Sequence, residues 1–487
     1  MHSAPLAATE KRLYLVAMSD SHFDLIVLGG GPAGCSGGLA AAAFGKRVAL
    51  VETETHIGGA GLNTGTIPSK ALRESALVIS GWRARKLLGI DLSLSKSATV
   101  GDFMRHEIEV RDTIQRQFEH RMSWHGIERM HGRGAFVDPH TVRVTTPDGG
   151  QQVLSGDVIL IATGSSPAHP PEFPFEHPHV HDSNEILEIT ELPRKLVVIG
   201  AGVIGAEYAC TFAALGVEVH LVDGRDVLLP FLDHEVSATI AATMKRAGVQ
   251  FHWGERVTEC AAPECGDVVL TFASGATLAA SDVLVAAGRN RNTDDLALDA
   301  AGLVAGKRGL IVVNEFYQTT APHIYAAGDV VGPPALAATG IEQARVAVSH
   351  AFGILKKEAS TLLPTGIYTI PEASMVGKTE AELKEAGVAF IVGRAAYDLN
   401  PRGRLIGDNA GFLKLLFRAD DLRLLGVHVV GEQATELIHI GLIAMLCGGD
   451  ADLFNRACFN YPTLGDLYKH AAYDAIFQHS TGRALKT

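Results

Sequence analysis

The sequence predicts an α/β fold with two Rossmann-like units followed by an α+β segment, and three observations carry that prediction. First, 487 residues exceed what a single hydrophobic core supports, so roughly two to four domains are expected. Second, an apolar strand, a glycine turn, an Ala-rich helix and a second strand occur in that order twice: in FDLIVLGGGPAGCSGGLAAAAFGKRVALVE (23–52) and in KLVVIGAGVIGAEYACTFAALGVEVHLVD (195–223). Third, from about residue 358 the glycine turns stop, and alternating strand patterns with amphipathic helices take over.

In the first unit the turn reads Gly29-x-Gly31-x-x-Gly34. The first glycine makes the tight turn, the second lets backbone approach a pyrophosphate, and the third lets the helix pack closely with its N-terminus toward the anion. Glu52 ends the second strand, where it is placed to accept from ribose hydroxyls. The second unit repeats the plan with Gly200, Gly202, Gly205 and Asp223. Two complete fingerprints predict two dinucleotide sites, one for a flavin nucleotide and one for a nicotinamide nucleotide, because hydride transfer needs a donor and an acceptor. Between and after them, DVILIATGSSP (157–167) and DVLVAAGRNRNT (282–293) read as strands at nucleotide-domain edges. TTAPHIYAAGDVVG (319–332) sets Asp329 between a strand and an apolar helix.

Composition narrows the class. A hydrophobic share of 47% with 20% charged residues describes an ordinary soluble chain, and a net charge of -12 argues against nucleic acid. Six scattered cysteines imply no disulfide framework and favour a reducing cytoplasm. The run LYLVAM near the N-terminus is too short for a signal-peptide core; residues 1–20 read as a loose tail, with Met18 a candidate natural start. LIHIGLIAML (437–446) falls short of the ~20 apolar residues a membrane helix needs, so no membrane span is expected.

The series GGGPAG, GGAGLNTGTIPSK, ATGS, GAGVIGAE, GRNRNT and IYAAGDV resembles the pyridine nucleotide-disulfide oxidoreductases in content and order. YTIPEASMVGKTEAEL (368–383), GEQATELIHIG (431–441) and FNYPTLGDLY (459–468) resemble the soluble pyridine nucleotide transhydrogenases within that family. The resemblance implies FAD as cofactor, held by Gly29, Gly31, Gly34, Glu52, Gly59, Ala60, Thr66, Ala135, Gly164, Asp329 and Ala337. Asp329 would bind the ribityl chain, and the helix after it would face the flavin pyrimidine edge. Lys70 would sit beside flavin N5 and pair with Glu207, a cation there favouring the anionic reduced flavin. Gly200, Gly202, Gly205, Asp223, Arg225 and Gly288 would hold the nicotinamide nucleotide, NAD(H) or NADP(H). The implied division is an FAD-binding domain in two parts (21–188 and 289–357), an NAD(P)-binding domain (189–288) and a dimerisation domain (358–487). A homodimer is implied, with Tyr461 of one subunit approaching the flavin of the other.

Two departures from the family bear on the chemistry. Its redox cysteines would stand at Gly61 and Thr66, and neither side chain can form a disulfide or a thiolate. The transhydrogenases commonly keep the first of them, so Gly61 departs even from that subgroup. The terminal His-Pro-Thr-x-x-Glu motif reads YPTLGD here, with Tyr461 for His and Asp466 for Glu; tyrosine, with a pKa near ~10, is a poor base at neutral pH. Cys260 and Cys265 copy the five-residue offset of a redox pair but lie in the second nucleotide unit and read as strand and loop. Cys35, Cys210, Cys447 and Cys458 read as buried small hydrophobes. The histidines of HPPEFPFEHPHVHDS (169–183) lack ligand spacing, so no metal is expected.

Asp223 favours NAD, because a carboxylate accepts from a ribose 2′-hydroxyl and repels a 2′-phosphate. Arg225 pairs with that phosphate in one reading and is a solvated loop residue of an NAD-only enzyme in the other; the sequence leaves both open. The function expected is hydride exchange between NADPH and NAD+ through FAD, without a disulfide. The alternatives are an NAD(P)H dehydrogenase passing electrons to a quinone or other small acceptor, a catalytically silent scaffold, and a disulfide reductase with a relocated cysteine.

Overall fold

The computed structural model describes residues 21–81, 100–354 and 360–482. The tail 1–20, the candidate start Met18 and the expected boundary at 357/358 lie outside the described residues. The chain opens with β1 (His22–Leu28), α1 (Pro32–Ala43), β2 (Val48–Glu52), α2 (Gly59–Asn63), α3 (Thr66–Ile79) and α4 (Val100–Trp124). Then come β3 (Glu128–His131), β4 (Arg133–Asp138), β5 (Thr141–Thr145) and β6 (Gln151–Ile161). These strands form one sheet in the order β3-β2-β1-β6-β5-β4, and Ile324–Ala326 from far along the chain adds to β6. Alternate residues of β1 serve two cores: Ile26 and Leu28 pack on one face, Leu25 and Val27 on the other. Burial on both faces is why the strand reads as an unbroken apolar run. Within the segment 157–167, β6 is hydrogen-bonded on both sides inside this sheet, and the chain then leaves it through a turn.

A short strand, β7 (Ser165–Pro167), leads to β8 (Val180–His181) and then to the second unit: β9 (Lys195–Ile199), α5 (Val203–Ala214) and β10 (Glu218–Asp223). It continues through α6 (His234–Arg246), β11 (Gln250–Trp253), β12 (Val257–Ala261), β13 (Val268–Phe272), β14 (Thr277–Ala280) and β15 (Asp282–Val285). The sheet order is β11-β10-β9-β15-β8, all parallel, beside a three-stranded antiparallel sheet β12-β13-β14. β15 lies inside this sheet, between β9 and β8. Next, β16 (Arg289–Arg291) pairs with β7, β17 (Ile324–Ala326) returns to the first sheet, and α7 (Ala337–Phe352) packs on α1.

The last part contains β18 (Thr365–Ile367), β19 (Ala373–Gly377), α8 (Glu380–Glu385), β20 (Phe390–Ala396), α9 (Pro401–Leu405), β21 (Phe412–Arg418) and β22 (Leu424–Val430). Three helices follow, α10 (Ala434–Leu446), α11 (Ala451–Arg456) and α12 (Leu467–Thr481). Its antiparallel sheet, β18-β19-β22-β21-β20, is the α+β element the change of texture predicted. Lys414 on β21, 1% exposed, ties this sheet to the second unit through Asp233 at 2.9 Å and Glu235 at 3.2 Å, with Glu380 at 2.5 Å. No helix among the described residues is long and apolar enough to cross a membrane.

Candidate active site

The carboxyl ends of the parallel strands in both sheets open into one cleft of about 1510 Å³. That exceeds the ~300–1,000 Å³ of a site for one drug-sized ligand, and leaves room for two extended nucleotides end to end. Three helix N-termini face it with no side chain capping them: α1 at Gly31, α5 at Gly202 and α7 at Leu336. Their first N–H groups are therefore free for anionic or carbonyl acceptors. At Gly202 an added Cβ would meet nothing within 4 Å, so the glycine leaves an open cradle for a ligand. Gly34 does something different: a Cβ there would stand 1.9 Å from the carbonyl oxygen of Gly29, so only glycine lets α1 close on its turn.

Lys70, on the second turn of α3, crosses the cleft to Glu207 on α5, Nζ to Oε2 at 2.7 Å. Its Nζ also donates to Ser69 Oγ at 3.3 Å and lies 4.9 Å from the centre of the Tyr368 ring. Glu207 is 6% exposed, and its other oxygen accepts the backbone N–H of Tyr368 at 2.9 Å. The first unit, the second unit and the C-terminal part thus meet at one ion pair. The carboxylate is held from both sides, which fixes the ammonium in place.

Gly29, Gly31, Glu52, Gly59, Ala60, Thr66, Lys70, Gly164, Gly202, Glu207, Gly288, Asp329 and Ala337 all line the cleft. Gly34, Gly200 and Gly205 stand behind it, packing turn against helix. Two expectations need correction, the placement of Ala135 and the burial of Cys447 and Cys458. Ala135 lies just outside the lining, which Gly132, Arg133 and Gly134 supply from the same strand. Tyr461 and Asp466 stand outside this chain's own cleft, in keeping with a role toward a second subunit: Tyr461 is 72% exposed and Asp466 pairs with His470 at 3.1 Å. Glu52 is engaged by the backbone, accepting from Gly30 N at 2.7 Å and Glu54 N at 2.9 Å. Cys447 and Cys458 are exposed, because they follow the ends of α10 and α11 and not a buried face.

Asp223 and Arg225 lie beyond the cleft lining, at the outer end of β10. The Arg225 guanidinium grips Asp223 with two bonds, Nε to Oδ1 at 2.9 Å and Nη2 to Oδ2 at 2.8 Å. Arg225 is therefore ion-paired to Asp223, with its side chain about half exposed. Burial would raise the Asp223 carboxyl, but hydrogen bonds from Arg225 and from the Ala201 and Arg225 N–H groups outweigh it and hold it down at about 2.

Gly61 and Thr66 both face the cleft, and no cysteine is among the described residues that line it. A Cβ at Gly61 would stand 2.5 Å from Cγ of Pro32, so the proline ring fills the room a side chain there would need. Cys35 and Cys210 are buried, and burial pushes each thiol up to about 12, which leaves them without thiolate character. Cys260 is a strand residue and Cys265 an exposed one. His169 pairs with Asp182, while His179 and His181 share Asp282, so these histidines have carboxylate partners.

Three contributors escaped the sequence reading. Arg289 donates to Ser165 Oγ at 2.8 Å and to Ser165 O at 2.5 Å, and Ser165 Oγ in turn donates to Asp329. Tyr368 supplies the N–H that orients Glu207. The basic run GRNRNT, directly after an apolar strand, was the available signal for Arg289; Tyr368 had none, since it lies 161 positions from its partner.

Such a fold and cleft define a two-nucleotide oxidoreductase in which the cysteine positions hold no sulfur. The family described as pyridine nucleotide-disulphide oxidoreductase matches residues 23–351, and its dimerisation domain matches residues 363–472. The chain belongs to this family, whose members use FAD and a nicotinamide nucleotide. It is 43% identical over 455 residues to a soluble pyridine nucleotide transhydrogenase of Mycobacterium bovis, covering 93% of this chain and 97% of that one. It is 39% identical to another of that name from a Marinomonas species, covering 94% and 99%. Among solved structures it is similar to LpdA from Mycobacterium tuberculosis, with a TM-score of 0.86, 26% identity and coverage of 93% and 99%. It is also similar to the HOCl-induced flavoprotein disulfide reductase RclA of Escherichia coli, with a TM-score of 0.83, 27% identity and coverage of 92% and 99%.

Proposed function

We propose that the chain catalyses hydride exchange between NADPH and NAD+, with FAD as its resident carrier. When bound, FAD supplies a centre that accepts and returns two electrons with a proton. The residues present fit it: Gly29 and Gly31 offer close backbone approach, Asp329 a carboxylate, and the uncapped start of α7 free N–H groups. The N-terminus of α5 with Gly202 and Gly288 would take the nicotinamide nucleotide, and Asp223 with Arg225 its adenosine ribose. Lys70 would hold a positive charge where the nucleotides meet, and Glu207 with the Tyr368 N–H would keep it from swinging into solvent.

The observation that carries this reading is a cleft shared by both glycine-turn units, with Lys70 clamped in it and no thiol among its described lining residues. A protein with no relay on the far side must return hydride by the route it came. One nicotinamide leaves before the next enters, which makes the kinetics ping-pong.

The domain division given above and a homodimer belong to the same proposal. Leu399, Leu405, Ile443, Leu446, Tyr461 and Tyr473 leave an apolar, exposed set on the C-terminal part, which suits a second copy of this chain. In that dimer Tyr461 and Asp466 would complete the partner's cleft. A cytoplasmic setting suits six cysteines that are all free.

The test is anaerobic oxidation of NADPH with NAD+ or an NAD+ analogue as sole acceptor. Turnover with parallel double-reciprocal lines is expected. Turnover with quinones or oxygen alone would replace the proposal with a dehydrogenase, and reduction of lipoamide or glutathione disulfide would restore a disulfide reductase.

A further inference from the structure

Asp223 is saturated. Oδ2 accepts from Ala201 N at 2.7 Å and from Arg225 Nη2, and Oδ1 accepts from Arg225 N and Nε, both at 2.9 Å. A carboxylate has about four lone-pair positions, so no acceptor is left for a ribose hydroxyl until the Arg225 guanidinium lets go. That side chain is 52% exposed and free to swing outward.

A second guanidinium stands beside this pair. Arg256, in the loop between β11 and β12, lies against Gly224, the residue joining Asp223 to Arg225. A Cβ added at Gly224 would stand 3.0 Å from Arg256 Nε and 3.3 Å from its Cγ. The two loops are held together by Gly254 N donating to Arg225 O at 3.2 Å, and the Arg256 backbone is also held by Ala273 N, just past β13, donating to Arg256 O at 2.9 Å. Arg256 is exposed, and its guanidinium makes no hydrogen bond or ion pair with any described residue. It is a positioned cation without a partner among the described residues.

We infer that Arg256, with Arg225, forms a two-guanidinium clamp for the adenosine 2′-phosphate of NADP(H), so that one site takes both nicotinamide nucleotides. The inference rests on the reading that the second unit holds the nicotinamide nucleotide. Charge decides it: a 2′-phosphate brings about -1.5 to -2 at neutral pH and lands beside the Asp223 carboxylate. Arg225 alone only cancels Asp223, leaving the phosphate unmatched. With Arg256 added, the phosphate meets a cation that no carboxylate already claims, in a planar fork suited to its oxygens. When the ribose carries only a hydroxyl, Arg225 releases Asp223, which accepts that hydroxyl, and Arg256 is idle.

The experiment compares the native holoenzyme with Arg256→Ala and Arg256→Lys, titrating adenosine 2′,5′-bisphosphate and 5′-AMP by calorimetry. In parallel, KM is measured for NADPH and NADH. The alanine variant is expected to bind the bisphosphate about tenfold more weakly or worse, with AMP affinity and the NADH KM within about twofold of native. Arg256→Lys should recover part of the loss, which a packing role would not predict. Equal losses for both ligands, or none for either, overturn the inference, as does a native protein that binds AMP but not the bisphosphate. A native protein that binds both ligands with the expected variant pattern yet exchanges no hydride overturns the proposed function and leaves the clamp standing.

Discussion

The two glycine-turn units share a construction down to individual hydrogen bonds. In each, the acid closing the second strand accepts from the N–H after the first glycine, Glu52 from Gly30 and Asp223 from Ala201, both at 2.7 Å. In each, a Cβ on the third glycine would stand 1.9 Å from the carbonyl oxygen of the first. They part at the surface each offers a ligand. Gly31 faces the α2 segment, with Gly59 Cα 3.9 Å from where a Cβ would be, whereas Gly202 faces open space. The remaining oxygen of Glu52 takes neutral donors, Thr53 Oγ1 and Glu54 N, whereas Asp223 takes a guanidinium. The same backbone plan thus serves a roofed site suited to a resident cofactor and an open, charge-switched site suited to a nucleotide that must leave every turnover.

Substituting the third glycine of each unit tests that contrast with the largest effect. Gly34→Ala forces a contact that overpacking data put at about 1–3 kcal/mol or more, and the protein should purify without flavin. Gly205→Ala makes the same contact in the other unit; it should keep flavin but lose nicotinamide-dependent bleaching of its absorbance. If both variants retain flavin equally, the assignment of the first unit is wrong.

Removing the link between the units comes next. Lys70→Ala should lower the stopped-flow rate of flavin reduction by about 10²-fold with flavin content unchanged, in the range that loss of one electrostatic stabiliser produces. Glu207→Gln should cost less, because Ser69 and the Tyr368 ring still surround the ammonium. A native reduction rate in Lys70→Ala would remove the pair from the mechanism.

Gly61→Cys addresses the roof over the first site. The thermal midpoint should fall by a few degrees because the new Cβ overlaps Pro32, and pairing it with Pro32→Ala should recover most of the loss. Neither variant should reduce lipoamide, since Tyr461 replaces the histidine such chemistry uses.

The smallest effect is on the acid side of the second site. Asp223 is depressed to about 2, so its stabilisation is fully present above the unfolded value near ~3.9 and is lost as pH falls toward 2. Asp223→Asn should therefore flatten the stability profile below pH ~4 and leave its shape above pH ~5 unchanged. An unchanged acid limb in denaturant titrations would show that the pair contributes nothing to it.

Much of this was legible in the chain. The turn glycines, the acids ending the strands and IPSK are local patterns whose chemistry depends on neighbours within one βαβ unit. Resemblance brought Lys70 and Glu207 together, and the structure sets them 2.7 Å apart. Residues whose role depends on a distant segment were not legible: the Tyr368 N–H, Arg289 against Ser165, and Arg256 against Gly224. The burial of Cys447 and Cys458 was misjudged for the same reason, since an apolar neighbourhood in sequence does not say which side of a helix end faces water.

By itself, the sequence determined the α/β class, the two nucleotide turns and the loss of the thiol relay. Each follows from backbone sterics and side-chain chemistry within a few residues. Tertiary structure decided how those parts act together. Only packing clamps Lys70 among three distant segments, closes the Cβ space of Gly61 with Pro32, and lays beside Gly224 a guanidinium with no partner among the described residues. Those outcomes depend on which surfaces meet, and contacts between segments well separated in the chain leave no periodic trace in it.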